Sequence, residues 1–281
     1  MPGLHLLLDV WDRFAEDDGW PMASHMALSA LMALFPFLIF VTALAGQLTT
    51  PAVQAEIVRL LFETWPHMVA APIADEVNKV LGNSRPGVLT FGAVLSFLLA
   101  TNGVEAMRVG VNRAYRVREM RPFWLLRLQG LLFVVIGALA LMVLAGFVLF
   151  WPVLWDAAVT LVPPLGDLAM PVTALRYAAA FVVLGSAIVL VHLFLAAGER
   201  RLADVWPGVL LTFVFWLAGG GLFGIYLADF ASYSRTYAGL AGVVAALFFL
   251  WLVSVVFLIG AELNAVLIER RRKKRDRGVD I

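Results

Sequence analysis

The uncharged stretch Gly130–Phe150, GLLFVVIGALALMVLAGFVLF, decides the fold class of this chain. About 20 apolar residues in an α-helix, each rising about 1.5 Å, cross the hydrocarbon core of a bilayer. Working outward from this stretch, we find other apolar stretches of similar length on both sides. The predicted spans are His25–Leu48, Gly87–Val109, Leu126–Trp151, Val172–Ala196, Pro207–Phe230 and Gly239–Leu267. The sequence therefore predicts an all-α, polytopic bundle of six transmembrane helices.

Composition supports a membrane protein and excludes several chemistries. Hydrophobic residues make up 62% of the chain and the mean hydropathy is +0.90. Soluble domains are only about half apolar. Cysteine is absent, which excludes disulfides and thiol chemistry. We expect a multi-pass protein of the cell inner membrane.

The distribution of Lys and Arg predicts the orientation. Connections after the first, third and fifth spans carry few basic residues, whereas those after the second, fourth and sixth carry many. The sixth span is followed by seven basic residues within 270–277. Because basic flanks stay on the cytoplasmic side, both termini are expected inside.

The chain divides into three predicted regions. Residues 1–24 form an amphipathic segment at the cytoplasmic interface, 25–268 form the membrane domain, and 269–281 form a basic cytoplasmic tail. Residues 49–86, on the outer side, show helical apolar spacing in both halves and predict short amphipathic helices. The third connection, 152–171, is apolar and predicts an outer-interface loop.

Placing a polar residue inside a membrane span costs free energy, so such residues usually face protein or water. They are therefore the candidate binding residues of this chain. One group lies toward the cytoplasmic end and predicts a polar vestibule for a head group. Structural ion pairs near helix ends are the alternative interpretation. The candidate substrate-binding residues are Asn102, Glu105, Arg108, His192, Glu262 and Asn264.

Two further sets of residues stand out at other depths. For the charged residues at the outer side, two interpretations stay open: an ion pair between neighbouring helices, and a binding site for a head group. These residues are Arg176, Asp229 and Arg235. Near the middle of the fifth span, small residues favour either close helix packing or a hinge at a transport site. These small residues are Gly219, Gly220, Gly221 and Gly224.

Sequence signatures of enzymes are missing. The four histidines are far apart and lack the spacing of zinc ligands. No Gly-rich phosphate loop and no nucleophile elbow occur either. We therefore predict no catalytic residues, no metal, no cofactor and no enzymatic activity. Nucleic acid is not expected as a partner, because the basic patches are those that topology requires.

Three blocks of sequence resemble the YihY/BrkB family of bacterial inner-membrane proteins. The first is Ala23–Pro36 (ASHMALSALMALFP) and the second is Asn112–Phe123 (NRAYRVREMRPF). The third begins at Pro207 and ends in GAELN at 260–264. Together they extend over nearly the whole chain. The resemblance implies a six-helix inner-membrane protein with cytoplasmic termini, in agreement with the orientation above.

The resemblance also implies a role with lipids. Members have been labelled ribonucleases, but this chain has no metal-ligand set to support that label. Other members are associated with export of envelope lipids. The leading hypothesis is therefore a transporter, flippase or export factor for a lipid or another amphipathic envelope component. A non-transporting scaffold for partner proteins and an intramembrane lipid-modifying enzyme are the alternatives.

Expected partners follow from the same features. Membrane lipids should surround the spans, and anionic head groups should bind the basic tail. A second copy of the chain and envelope proteins are further candidate partners.

Overall fold

The chain is helical through nearly all of the residues described by the structure, a computed structural model. These residues are 2–48, 86–145, 147, 151–230 and 240–279. They contain no strand, which confirms the all-α class. The α-helices are α1 Pro2–Glu16, α2 Gly19–Leu48, α3 Pro86–Ala114, α4 Phe123–Ala145, α5 Trp151–Leu161, α6 Ala169–Leu190, α7 Leu202–Phe230 and α8 Leu240–Val279. A 3₁₀ segment, Pro163–Leu168, precedes α6, and a π-helical turn, Val191–Leu195, follows it.

Four helical segments among the described residues are long and apolar enough to cross a membrane. They have mean hydropathies between 1.9 and 2.8. Few of their residues are buried inside the protein, as expected for helices that face lipid. The four segments are Phe123–Leu141, Pro163–Leu195, Leu202–Ile225 and Gly242–Asp276.

The long helices pack in a ring. Around the ring, α2 contacts α3, α3 contacts α4, α4 contacts α6, α6 contacts α7, α7 contacts α8, and α8 returns to α2. A direct contact between α3 and α8 crosses the ring. Helix α1 lies outside it, against α8 and α2.

Among the side chains that the structure describes, the buried core is concentrated at one end of this ring. Buried residues occur at the start of α2, the end of α3, the junction after α6, the start of α7 and the second half of the apolar part of α8. Described residues of α4 and α6 are almost all exposed or half-buried. Tight packing therefore holds the helices together at the end that carries the loops 115–122 and 196–201.

Several element boundaries differ from the sequence prediction. Helix α2 begins at Gly19, before the predicted span, after a turn in which Asp18 adopts φ 55°. Glycine is needed at position 19 because a Cβ there would overlap the Phe14 ring. The predicted loop at 152–171 is largely helical, as α5 and the 3₁₀ segment.

The basic tail is also helical, since α8 continues without a break to Val279. Lys and Arg are good helix formers and are favourable near a helix C-terminus. Lys273 and Glu269 add an ion pair one turn apart at 2.6 Å. The predicted amphipathic helices at 49–86 lie outside the described residues, except for Pro86 at the start of α3.

Candidate functional site

The polar residues predicted from the second span belong to a charged network at the packed end. Arg108, buried on α3, forms ion pairs with Glu105 one turn earlier and, at 2.9 Å, with Glu119 of the following loop. Asn112 donates from Nδ2 to the same Glu119 oxygen at 3.0 Å. The loop is thereby held against α3. Asn102, one turn before Glu105, is exposed.

Arg121 extends this network to the end of α6. Its Nε and Nη2 atoms donate to the two oxygens of Glu119 at 2.8 and 2.7 Å, and Nη2 also donates to the carbonyl of Leu195 at 2.8 Å. Asn112 Oδ1 accepts from the Ala197 N–H at 2.7 Å. Hydrogen bonding to Arg121 lowers the pKa of Glu119 to about 2. We call Arg108, Asn112, Glu119 and Arg121 the inner network.

A second buried network centres on Asn264 of α8. Its Oδ1 accepts from the Gly208 N–H at 2.7 Å, and its Nδ2 donates to the Val205 carbonyl at 3.0 Å. These backbone partners fix the orientation of the amide. Nδ2 then also donates to the Tyr115 hydroxyl at 3.3 Å. Asn264 therefore joins α8 to α7 and to the end of α3.

His192 completes this second network. Because Tyr115 accepts from Asn264, its own proton is free for His192 Nδ1, 3.0 Å away. Nδ1 is then an acceptor, and the imidazole carries its hydrogen on Nε2. That atom is buried and has no partner among the described residues. The π-helical turn at 191–195 brings the ring between Tyr115 and Phe257.

Glu262 has no hydrogen bond to either network. It is buried on α8, near the Asp17 carboxylate in the turn between α1 and α2, and its Oε2 atom has no hydrogen-bond partner among the described residues. Asp17 accepts from Arg116 Nε at 2.9 Å. Five of the six residues predicted as one binding group thus fall into three clusters at the same end, and Asn102 is exposed outside them. Their role in binding a substrate stays a prediction.

The outer residues are only partly described. The Arg176 guanidinium lies 4.6 Å from the centre of the Tyr177 ring. Its Nε atom is buried without a partner among the described residues. The Asp229 side chain and Arg235 lie outside the described residues. The predicted ion pair and head-group site therefore stay predictions.

The glycines in the middle of α7 lie on an unbroken helix. A Cβ added at Gly219, Gly220, Gly221 or Gly224 would meet nothing within 4 Å among the described residues. The close helix approach occurs instead at Gly208 of α7 and Gly260 of α8. A Cβ on Gly260 would come within 2.7 Å of the Gly208 carbonyl oxygen. A hinge at 219–221 stays a prediction.

A cavity of about 930 Å³ opens at the same end and borders the second network at Tyr115. Its walls come from the loop after α3, the loop before α7 and the last turns of α8, with Arg13 of α1. Seven arginines and four carboxylates line it, a surplus of three positive charges. We call it the basic cavity.

Tyr115 and Arg200 separate the basic cavity from the buried network. The Arg200 guanidinium lies 3.8 Å from the centre of the Tyr115 ring and donates to the His192 carbonyl at 3.2 Å. Burial raises the pKa of Tyr115 to about 12. Burial lowers the pKa of Arg200 from its ordinary value. Within the described residues, no three His, Cys, Asp or Glu side chains cluster as a metal site would require.

The residues that connect these elements were not among the predicted site residues. Asn112 lies in the last turn of α3, and Tyr115, Glu119 and Arg121 follow in the loop 115–122, where the arginines were explained by topology alone. The signal that could have found them is Glu119, the carboxylate within this run of four arginines. A single acid among several cations predicts a local ion-pair network.

Comparison with protein families identifies the chain. The family model described as "Virulence factor BrkB" matches residues 10–279. The chain belongs to the BrkB family. This confirms the resemblance that the sequence blocks indicated, and with the apolar helices it establishes a membrane protein.

Individual relatives are similar over most of this chain. The putative ribonuclease-like protein YfkH of Bacillus subtilis is 26% identical over 96% of the chain and 97% of its own length. UPF0761 membrane proteins of Rhodospirillum centenum and Alkalilimnicola ehrlichii are 28% and 24% identical over 93% and 92% of the chain. The BrkB-family chain spans 57% of the length of these two relatives. No solved structure matches it.

Proposed function

We propose that this BrkB-family protein crosses the inner membrane six times, with both termini in the cytoplasm. Four candidate spans are supported by length and hydropathy. Helices α2 and α3, with 30 and 29 residues, are each long enough to cross as well. The excess of basic residues in the loops at the packed end supports a cytoplasmic location for that end.

Within this topology, we propose that the protein moves a lipid or another amphipathic envelope component across the membrane. One observation carries the proposal: among the side chains that the structure describes, burial is concentrated at one end of the ring of six helices. A static scaffold gains most from packing along its whole length, because buried contacts stabilise it. Helices joined mainly at one end can separate elsewhere and admit a substrate between them.

The inner network is the closed end of the proposed pathway. Arg108 and Arg121 converge on Glu119 and link α3 to the end of α6. In the proposed cycle these ion pairs act as a gate, closed when they are paired and open when they separate. Glu105 is part-exposed, with 41% of its side-chain surface accessible, and can exchange Arg108 for a polar head group.

The proposal is tested with purified protein in phospholipid vesicles that contain a trace of fluorescent phospholipid. Dithionite bleaches the outer leaflet, so lipid movement appears as bleaching beyond about half of the signal. We expect the wild type to exceed that level. Glu105→Gln, which removes one partner of Arg108, should slow the movement by about tenfold or more.

Asp12→Asn is the matched control, because Asp12 is an exposed carboxylate of α1 that belongs to neither network and does not line the basic cavity. We expect it to behave like the wild type. Bleaching of wild-type vesicles no deeper than that of protein-free vesicles would contradict lipid movement and favour the scaffold hypothesis. Equal slowing by both variants would contradict the role of Glu105.

A further inference from the structure

The basic cavity contains more positive charge than its own carboxylates can neutralise. Three of its arginines have carboxylate partners: Arg13 pairs with Glu269, Arg116 with Glu16 and Asp17, and Arg271 with Asp204. The remaining four have none among the described residues. These four are Arg200, Arg201, Arg272 and Arg275.

The four unpaired arginines come from two elements that line the cavity. Arg200 and Arg201 belong to the loop before α7, and Arg272 and Arg275 lie on the last turns of α8. Arg272 and Arg275 are three residues apart and share one helix face. Arginine presents a planar fork of donors that matches the oxygens of a phosphate group in bidentate fashion.

Arg200 is the most constrained of the four. It lies over the Tyr115 ring and donates to main-chain carbonyls of His192 and Ala197. Carbonyl and ring contacts hold a guanidinium in place without cancelling its charge. Ala265 and Ile268 add an apolar wall from α8. The volume is within the range of small-ligand sites, roughly 300–1,000 Å³.

Only some of the basic residues in the tail line the cavity. Lys273 and Lys274 lie between Arg272 and Arg275 in sequence, but neither lines it. Lys273 is paired with Glu269 instead. A tail that only attracts an anionic surface would use all four charges alike. The arrangement therefore separates a cavity-lining pair from an outward pair of equal charge.

We propose that the basic cavity binds a phosphate-bearing anion, held by Arg200 and Arg201 of the loop before α7 and by Arg272 and Arg275 of α8. Two sources share this chemistry: a phospholipid head group and a soluble phosphate compound. The proposal concerns binding alone and stands whether or not the bundle moves a lipid.

Binding is measured on the full chain in detergent by isothermal titration calorimetry, with three probes. Dioctanoyl phosphatidic acid represents the head group, dioctanoylglycerol is its phosphate-free counterpart, and pyrophosphate represents a soluble source. We expect phosphatidic acid or pyrophosphate to bind, and dioctanoylglycerol not to bind. Saturation by phosphatidic acid alone assigns the lipid source, and saturation by pyrophosphate assigns a soluble one.

The decisive comparison uses two double variants of equal charge change. Arg272→Gln with Arg275→Gln should weaken binding by about tenfold or more, because two phosphate contacts are lost. Lys273→Gln with Lys274→Gln should weaken it by less than about threefold. Equal weakening by both pairs would overturn the proposal in favour of a general attraction by the tail.

The loop before α7 provides an independent test. Arg201→Gln should weaken binding, whereas Arg118→Gln, an exposed arginine of a neighbouring loop outside the cavity, should not. A normal thermal transition of each variant shows that it is folded. Binding of neither phosphate probe by the folded wild type would overturn the proposal, and so would equal effects of Arg201→Gln and Arg118→Gln.

Discussion

Glu119 is the residue on which the packed end of the bundle depends most directly. Its two oxygens receive Arg108, Asn112 and Arg121, which come from α3 and from the loop itself. Arg108 is 6% exposed, so its charge is largely removed from water. A buried cation needs a nearby anion, since desolvation without one costs several kcal/mol.

Replacing Glu119 tests this dependence. Glu119→Gln keeps the shape of the side chain but leaves Arg108 with Glu105 alone, and it removes the charge that binds Arg121. We expect a loss of about 2 kcal/mol in the free energy of unfolding. Thermal unfolding in detergent measures it, with Asp12→Asn, which removes an exposed carboxylate outside the network, as the unchanged control. Equal stability of the two variants would show that the inner network contributes little.

The same residue predicts a dependence of stability on pH. Its pKa is lowered from 4.5 to about 2 by hydrogen bonding to Arg121. A lowered carboxylate pKa stabilises the folded state above the unfolded pKa, and the contribution disappears as pH falls through the folded value. The stability difference between wild type and Glu119→Gln should therefore shrink between about pH 4.5 and pH 2. A difference that stays constant over this range would contradict the assignment.

At the scale of elements, two glycines determine where α7 and α8 cross. One lies near the start of α7, away from its apolar middle, and the other lies on α8. Gly208 and Gly260 let the two backbones approach, and Asn264 then reaches Gly208 N–H and the Val205 carbonyl. Hydrogen bonds between helices at this crossing replace apolar packing. Pro207, next to Gly208, provides no N–H of its own.

The contrast between the glycines of α7 is testable by substitution. Gly208→Ala would place a Cβ against the Gly260 carbonyl oxygen and the Asn264 amide, so we expect loss of the folded protein or a strongly lowered melting temperature. Gly219→Ala meets open space among the described residues and should be tolerated or stabilise the helix by about 1 kcal/mol. Size-exclusion chromatography and thermal unfolding compare the two. The opposite order would place the tight crossing at the middle of α7.

At the scale of the whole molecule, the orientation of the helix ring in the membrane can be measured by labelling single cysteines. The chain has no cysteine, so single cysteines can be introduced without removing any. Met120→Cys in the loop after α3 should react with an impermeant maleimide only after the cells are permeabilised. Asp167→Cys in the 3₁₀ segment should react in intact cells. The reverse pattern would place the termini outside.

Much of the architecture was predictable because hydropathy and charge act over long stretches. Helix content, four of the spans and the family followed from apolar length and from quoted motifs. Boundaries were less predictable: α8 continues through the basic tail because Lys and Arg also favour helix. The 152–171 connection was predicted as a loop, because an apolar stretch with prolines does not reveal short helices.

The sequence by itself determined that this BrkB-family chain is a helical membrane protein, because burial of apolar length in a bilayer depends on composition rather than on partners. It also indicated which end collects polar residues. Only the tertiary structure decided how those residues pair. Arg108 with Glu119, His192 with Tyr115, and Asn264 with Gly208 are separate contacts because helix rotation, not depth, selects each partner. Rotation is set by packing at crossings such as Gly208 with Gly260, which no local pattern in the sequence specifies.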